Sequence, residues 1–225
     1  MLRHLGENRG KGQSAPRIRF PNSDGRSVTI SANTEHDALA ALDARRSVPA
    51  RQLDAPGPDE AQLLRMLRSA VRVPDHGKRV PFRFIRIAGA DRDALGERLA
   101  ARSLARESGI AEAALDKDRK RFSHAPLVLA VVTVLDADDV AIPEIERHLT
   151  AGCVCFALLQ AAQAMGFGAS WLTGWPAFDD EVMGLLGLAA HERIAGFIHI
   201  GTPRIEAPER ERPDPAALLT DWRAP

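Results

Sequence analysis

Arg45, Arg46 and Ser47 stand together where a short apolar stripe, Ala38, Leu39 and Leu42, gives way to Pro49. Two guanidinium forks beside a hydroxyl can hold a phosphate through several charge-assisted hydrogen bonds. A solvated arginine pair at a helix C-terminus, favoured by the helix dipole, would look the same in sequence. A second cluster is Arg72-Val73-Pro74-Asp75-His76. Pro74 ends a helix and fixes a turn, so His76 can stack on a planar heterocycle or hydrogen-bond to it, or simply be a satisfied loop histidine. A third segment runs from Gly166 to Gly174. Its small residues let backbone N–H groups approach a ligand, and Trp171 offers a flat apolar wall. A tight strand against a helix reads equally well.

Other chemistries lack their signatures. There is no G-x-G-x-x-G after a strand, no G-x-x-x-x-G-K-[ST] and no G-x-S-x-G. Glu144 and His148 share a helix face, but no second histidine completes a metal motif, and no metal site is expected. Cys153 and Cys155 point to different faces of a helix and read as two small buried hydrophobes in a reducing compartment. A formal net charge of zero favours neither nucleic acid nor an anionic membrane. The first twenty residues are polar and basic, and the most apolar run, Ala151 to Leu159, is too short to span a bilayer. A soluble cytoplasmic protein is the expectation.

The elements that must position these residues follow from periodicity. Residues 1–33 are rich in Arg, Gly and Ser and form an extension, flexible or a small hairpin around Asp24-Gly25. Residues 34–225 form the main domain. A helix begins near Thr34, with Asp37 as a partial capping box, and runs into the Arg45 triplet. A second runs from Asp59, its N-cap, to about Arg72, with Leu63, Leu64, Leu67, Ala70 and Val71 as its apolar stripe. Phe82–Ala88 reads as a strand, followed by helices over Asp91–Glu107 and Ala111–Phe122. Pro126–Val134 is a strand buried on both faces. A long helix from Ile145 to Met165 is apolar all round and should pass through the core. Short strands at Gly168–Leu172 and Ile194–Ile200 flank a helix over Asp180–Leu186. The tail after Arg204 has no core of its own and must lie on a surface. Three or four strands with five or six helices, not in regular alternation, indicate α+β rather than a doubly wound sheet.

The three clusters, in this order and at these separations, resemble the nitroreductase family of FMN enzymes, most of all its short bacterial NAD(P)H-linked members. The match runs from about Thr34 to Leu219 and also takes in Ala151-Gly152-Cys153 and Gly196 to Pro203. The resemblance implies a three-layer α/β/α fold with a mainly antiparallel central sheet and FMN at the interface of a homodimer. It implies that Arg45, Arg46 and Ser47 contact the phosphate and ribityl chain. Arg72 and His76 would reach the flavin of the other subunit. Trp171, Leu172 and Thr173 would line the isoalloxazine and its ribityl side. Ala161, Ala162, Gln163, Ala164, Met165 and Gly166 match the stretch attributed to NAD(P)H. Two departures stand out: Pro49 replaces a common basic residue, leaving Arg51 or Lys78 to face the flavin N1/O2 edge, and Leu172 replaces a common arginine. The implied activity is ping-pong hydride transfer from NAD(P)H through flavin N5 to a nitroaromatic, quinone or similar small-molecule acceptor. No protein group is assigned as catalytic, because the flavin carries the chemistry. Dehalogenation, flavin fragmentation or a non-catalytic FMN-binding role are the alternatives.

Overall fold

The computed structural model describes the backbone of residues 18–21, 27–30 and 32–225, with side chains from residue 37 onward. The chain divides into two compact units, Met1–Ala44 and Arg45–Pro225. In the first, β1 (Ile18–Pro21) pairs antiparallel with β2 (Ser27–Ile30), in the register Ile18 to Ile30. The expected Asp24-Gly25 turn between them lies outside the described residues. Helix α1 covers Ala32–Asp43, so it starts before Thr34, and the proposed capping residue is already helical. Leu39 and Leu42 of its stripe are exposed.

The second unit contains β3 (Leu53–Asp54), α2 (Glu60–Ala70), β4 (Phe82–Ala88), α3 (Asp91–Arg106), α4 (Glu112–Arg119) and β5 (Leu127–Val134). It continues with α5 (Glu144–Ala164), β6 (Gly168–Leu172), α6 (Asp180–Leu185), β7 (Glu192–Pro203) and α7 (Pro215–Leu218). The expected α+β class holds. All strand pairs of the five-stranded sheet are antiparallel, in the order β3-β7-β5-β4 with β6 also on β7.

Strand β5 explains the layers. Its side chains alternate between faces, and both faces are covered. Leu127, Leu129 and Val131 pack with Leu63 and Met66 of α2 and with Ala151, Val154 and Leu158 of α5. Val128, Ala130 and Val132 pack with Leu99 of α3, Phe122 and Val182 of α6. That is why the strand reads as an unbroken apolar run. At Phe122 the ring meets Phe197 edge-on, with centroids 4.8 Å apart.

Helix α2 is capped as its sequence predicts. Asp59 accepts the Gln62 backbone N–H at 2.8 Å, and the Gln62 side chain accepts the Asp59 N–H at 2.9 Å. Its buried stripe is Leu63, Met66 and Ala70, whereas Leu64 and Val71 are exposed. The helix presents one narrow edge to the sheet, and Met66 rather than Leu64 falls on it.

Two expectations about α5 are corrected. The helix is not enclosed: Ile145 and Leu149 are each 61% exposed and Phe156 45%. Cys153, on the same stripe, is exposed, while Cys155 is buried, and burial pushes its thiol up to about 12. Apolar periodicity identifies a covered face without saying whether the cover comes from the same chain.

Candidate functional site

Beyond α1 the chain runs from Arg45 to Pro49 without regular secondary structure. The triplet is divided between two sets of contacts. Arg45 Nη1 lies 3.3 Å from Ser47 Oγ, and both side chains line a cleft of about 340 Å³ with Phe156, Leu159, Trp171 and Thr173. Arg46 instead forms an ion pair at 2.6 Å with Glu209 of the C-terminal tail. Val48 fastens the segment: its N–H donates to the Ala169 carbonyl at 3.0 Å, and its side chain is buried with Leu53, Ala125 and Ala207.

Trp171 owes its place to a defect in β7. The β5–β7 register slips between Val131 and Val132, which face Gly196 and Ile194, leaving Ala195 without a partner in the ladder. Such a bulge exposes backbone groups and re-aims side chains. The Ala195 carbonyl accepts the Trp171 indole N–H at 3.2 Å. Gly196 lies beneath the indole, where a Cβ would fall 1.9 Å from Trp171 Nε1. A bare glycine and a freed carbonyl thus hold the ring against the strand. Leu172 faces away, as the two-residue period of β6 requires; it is exposed and lines neither cleft.

A larger cleft of about 580 Å³ meets the first at Trp171 and Thr173. Glu144, His148, Gly152, Phe178 and Arg193 line it. His148 Nε2 is 3.5 Å from Glu144 Oε1, the shared face expected from their spacing. Among the described residues, no group of three potential metal ligands occurs.

The other expected residues lie elsewhere. Arg72, just beyond α2, is exposed. His76 Nδ1 is 2.6 Å from Glu146 Oε2 in the first turn of α5, and Thr150 Oγ1 donates to the Pro74 carbonyl at 3.1 Å. Glu146 and Phe156 are separated by about 15 Å along the helix axis, at about 1.5 Å per residue. One chain therefore does not bring His76 to the Arg45 cleft. Ala161 to Gly166 form the end of α5, closed by Gly166 at φ +82°, with Ala162 fully buried; none of them lines either cleft. Arg51 and Lys78 also lie outside both clefts.

Sequence reasoning overlooked Phe156, Leu159 and Glu209 as parts of this region. The first two are hidden in an apolar helix and carry no signal of their own. Glu209 sits in Glu-Arg-Glu-Arg, a pattern typical of any solvated surface. Gln160 was also overlooked: its Nε2 is buried without a hydrogen-bond partner, one turn beyond Phe156.

The chain is similar to known proteins in sequence and in fold. The family model described as "Nitroreductase family" matches residues 42–202. The "Putative NAD(P)H nitroreductase YdjA" of Escherichia coli strain K12 is 34% identical over 185 residues, covering 82% of this chain and 98% of the relative. Among solved structures, a nitroreductase-like family protein from Bacillus cereus superposes with a TM-score of 0.69 at 19% identity, covering 83% of this chain and 96% of the other. A "putative nitroreductase in complex with fmn" from Desulfovibrio desulfuricans gives 0.64 at 21% identity, covering 83% and 97%.

Proposed function

The chain belongs to the nitroreductase family, and on that premise we propose that it is an FMN-dependent NAD(P)H oxidoreductase that reduces nitroaromatic, quinone or similar acceptors in alternating half-reactions. The observation that carries this reading is the cleft that unites Arg45 and Ser47 with Trp171 and Thr173.

The donors present suit the cofactor. A guanidinium and a hydroxyl 3.3 Å apart offer charge-assisted and neutral bonds to one phosphate. The Trp171 indole on β6 and Thr173 just beyond it continue the cleft toward a wider space. The buried, unpartnered Gln160 Nε2 is a further donor, on the same face of α5 as Phe156. FMN, when bound, supplies the two-electron carrier between NAD(P)H and the acceptor. The chain's part is to bind, orient and shield it. Arg45 and Ser47 anchor the anionic end. Trp171, held by Ala195, limits how deeply a planar ring can settle against β7. Phe156 and Leu159 exclude water along one side.

A homodimer completes the reading. Ile145, Leu149, Cys153 and Phe156 form an exposed stripe along α5, an apolar surface that a second copy would cover. The same pairing would allow Arg72 and His76 of one subunit to approach the neighbour's cleft, which a single chain does not achieve. Among the described residues, no helix is long and apolar enough to cross a membrane. We assign the protein to the cytoplasm.

Purified protein is expected to be yellow, to sediment as a dimer, and to bleach on addition of NADPH or NADH. Colourless protein that takes up no FMN on reconstitution would refute the function, and an FMN-loaded monomer would refute the shared site. Arg45→Ala is expected to weaken FMN binding by about 1.5–3 kcal/mol for each charged hydrogen bond lost. That is roughly tenfold to a hundredfold in Kd, measured by quenching of flavin fluorescence. Unchanged affinity would remove Arg45 from the phosphate site.

A further inference from the structure

The tail beyond β7 does not leave the molecule at the end of the sheet. It follows the segment that carries Arg45 and Ser47, in reverse and in step. Leu53 and Asp54 pair with Pro203 and Thr202 in the sheet. Past the sheet, the Arg204 N–H donates to the Gln52 carbonyl at 2.9 Å, and Arg204 Nε lies 3.1 Å from Asp54 Oδ2. Ala207 is then buried with Val48 and Leu53. Glu209 closes the run on Arg46. The Glu209 carboxylate gathers three donors: Arg46 Nη2 at 2.6 Å, Arg212 Nη2 at 2.8 Å and the Arg210 N–H at 3.0 Å.

We propose that Glu209 is a positioning residue for the cofactor, acting through Arg46: the clasp holds Arg46 on the tail side of the segment and thereby holds Arg45 and Ser47 on the cleft side. The contacts give this coupling its direction, because Arg46 is paired with the tail while the residues on either side of it line the cleft. Val48 fastens the segment on one side through Ala169, and the clasp is a further attachment. Glu209 does not compete for the cleft, since neither it nor Arg46 lines it. The inference rests on the FMN reading of the cleft.

Both members of the pair are partly exposed, so the effect should be moderate and sensitive to salt. Glu209→Gln is expected to raise the Kd for FMN about threefold to tenfold at low ionic strength, and the gap from wild type should narrow as salt is added. Arg46→Glu should weaken binding at least as much. The exchanged pair, Arg46→Glu with Glu209→Arg, should recover only part of that loss, because it restores the ion pair but sets the new arginine beside Arg212. In the FMN-free protein, trypsin should cut after Arg210 faster in Glu209→Gln than in wild type. Unchanged FMN affinity in Glu209→Gln would overturn the proposal. So would equal tryptic cleavage. Wild-type protein that binds no FMN would remove the functional reading as well, and so separates that failure from a failure of the clasp.

Discussion

Gly196→Ala is expected to empty the cleft between Arg45 and Trp171 of its flat wall while leaving the fold standing. The new Cβ would lie 1.9 Å from Trp171 Nε1 and 2.4 Å from Cδ1, closer than any relaxed contact permits. The indole must therefore leave β7, giving up its bond to the Ala195 carbonyl. Overpacking of this kind costs about 1–3 kcal/mol, and the lost hydrogen bond about 0.5–1.5 kcal/mol. Trp171 is 38% exposed, so it can swing toward solvent instead of straining the sheet. Most of the cost then falls on binding. We expect FMN affinity to fall at least about tenfold, the equivalent of about 1.4 kcal/mol, with only a small loss of Tm. A variant that keeps wild-type FMN affinity would show that Trp171 does not shape the site.

Gly96→Ala should do the reverse. At this position α3 crosses the end of α4 backbone to backbone, and a Cβ would sit 1.9 Å from the Arg119 carbonyl oxygen and 2.8 Å from its carbon. No side chain can move aside. Alanine gains about 1 kcal/mol of helix propensity over glycine, but forcing two helices apart costs about 3 kcal/mol or more. The contact also borders the buried Ser103–Asp118 hydrogen bond, which a shift of α4 would disturb. The net loss of about 2 kcal/mol corresponds to roughly 4–8 °C in Tm for a chain of this size. Because α3 packs on the sheet face opposite Trp171, the FMN affinity of the folded fraction should be unchanged. Thermal unfolding followed by circular dichroism, with an FMN titration below the transition, tests both halves. A Tm within a degree or so of wild type would mean that the helices separate more easily than the backbone contact implies.

The fold was largely legible because its signals are local. The unbroken apolar run of β5, the Asp59 N-cap and the glycines after α5 each name an element through its own residues. Leu63 and Ala70 were correctly placed by helical period, whereas Leu64 and Val71 were not, since the period gives a stripe but not its width. The short β3 was missed because two residues carry no periodicity. Of the residues that the resemblance points to, Arg45, Ser47, Trp171 and Thr173 line one cleft. The opposed direction of Arg46 was not foreseen. It depends on Glu209, whose distance along the chain leaves no mark in sequence. The bulge at Ala195 was equally silent, being a mismatch between two strands rather than a property of either.

Strand β7 has a further consequence. One of its edges pairs with β5, while β6 and β3 follow one another along the other. Trp171 rides on β6, Val48 hangs from Ala169 of the same strand, and the tail is the continuation of β7 itself. The walls of the cleft therefore lie along one outer edge of the sheet, on β6 and on the segment that hangs from it, and β7 anchors them all. Occupancy of the cleft and the pairing of β6 with β7 are then thermodynamically linked, so a bound ligand lends its free energy to that edge of the sheet.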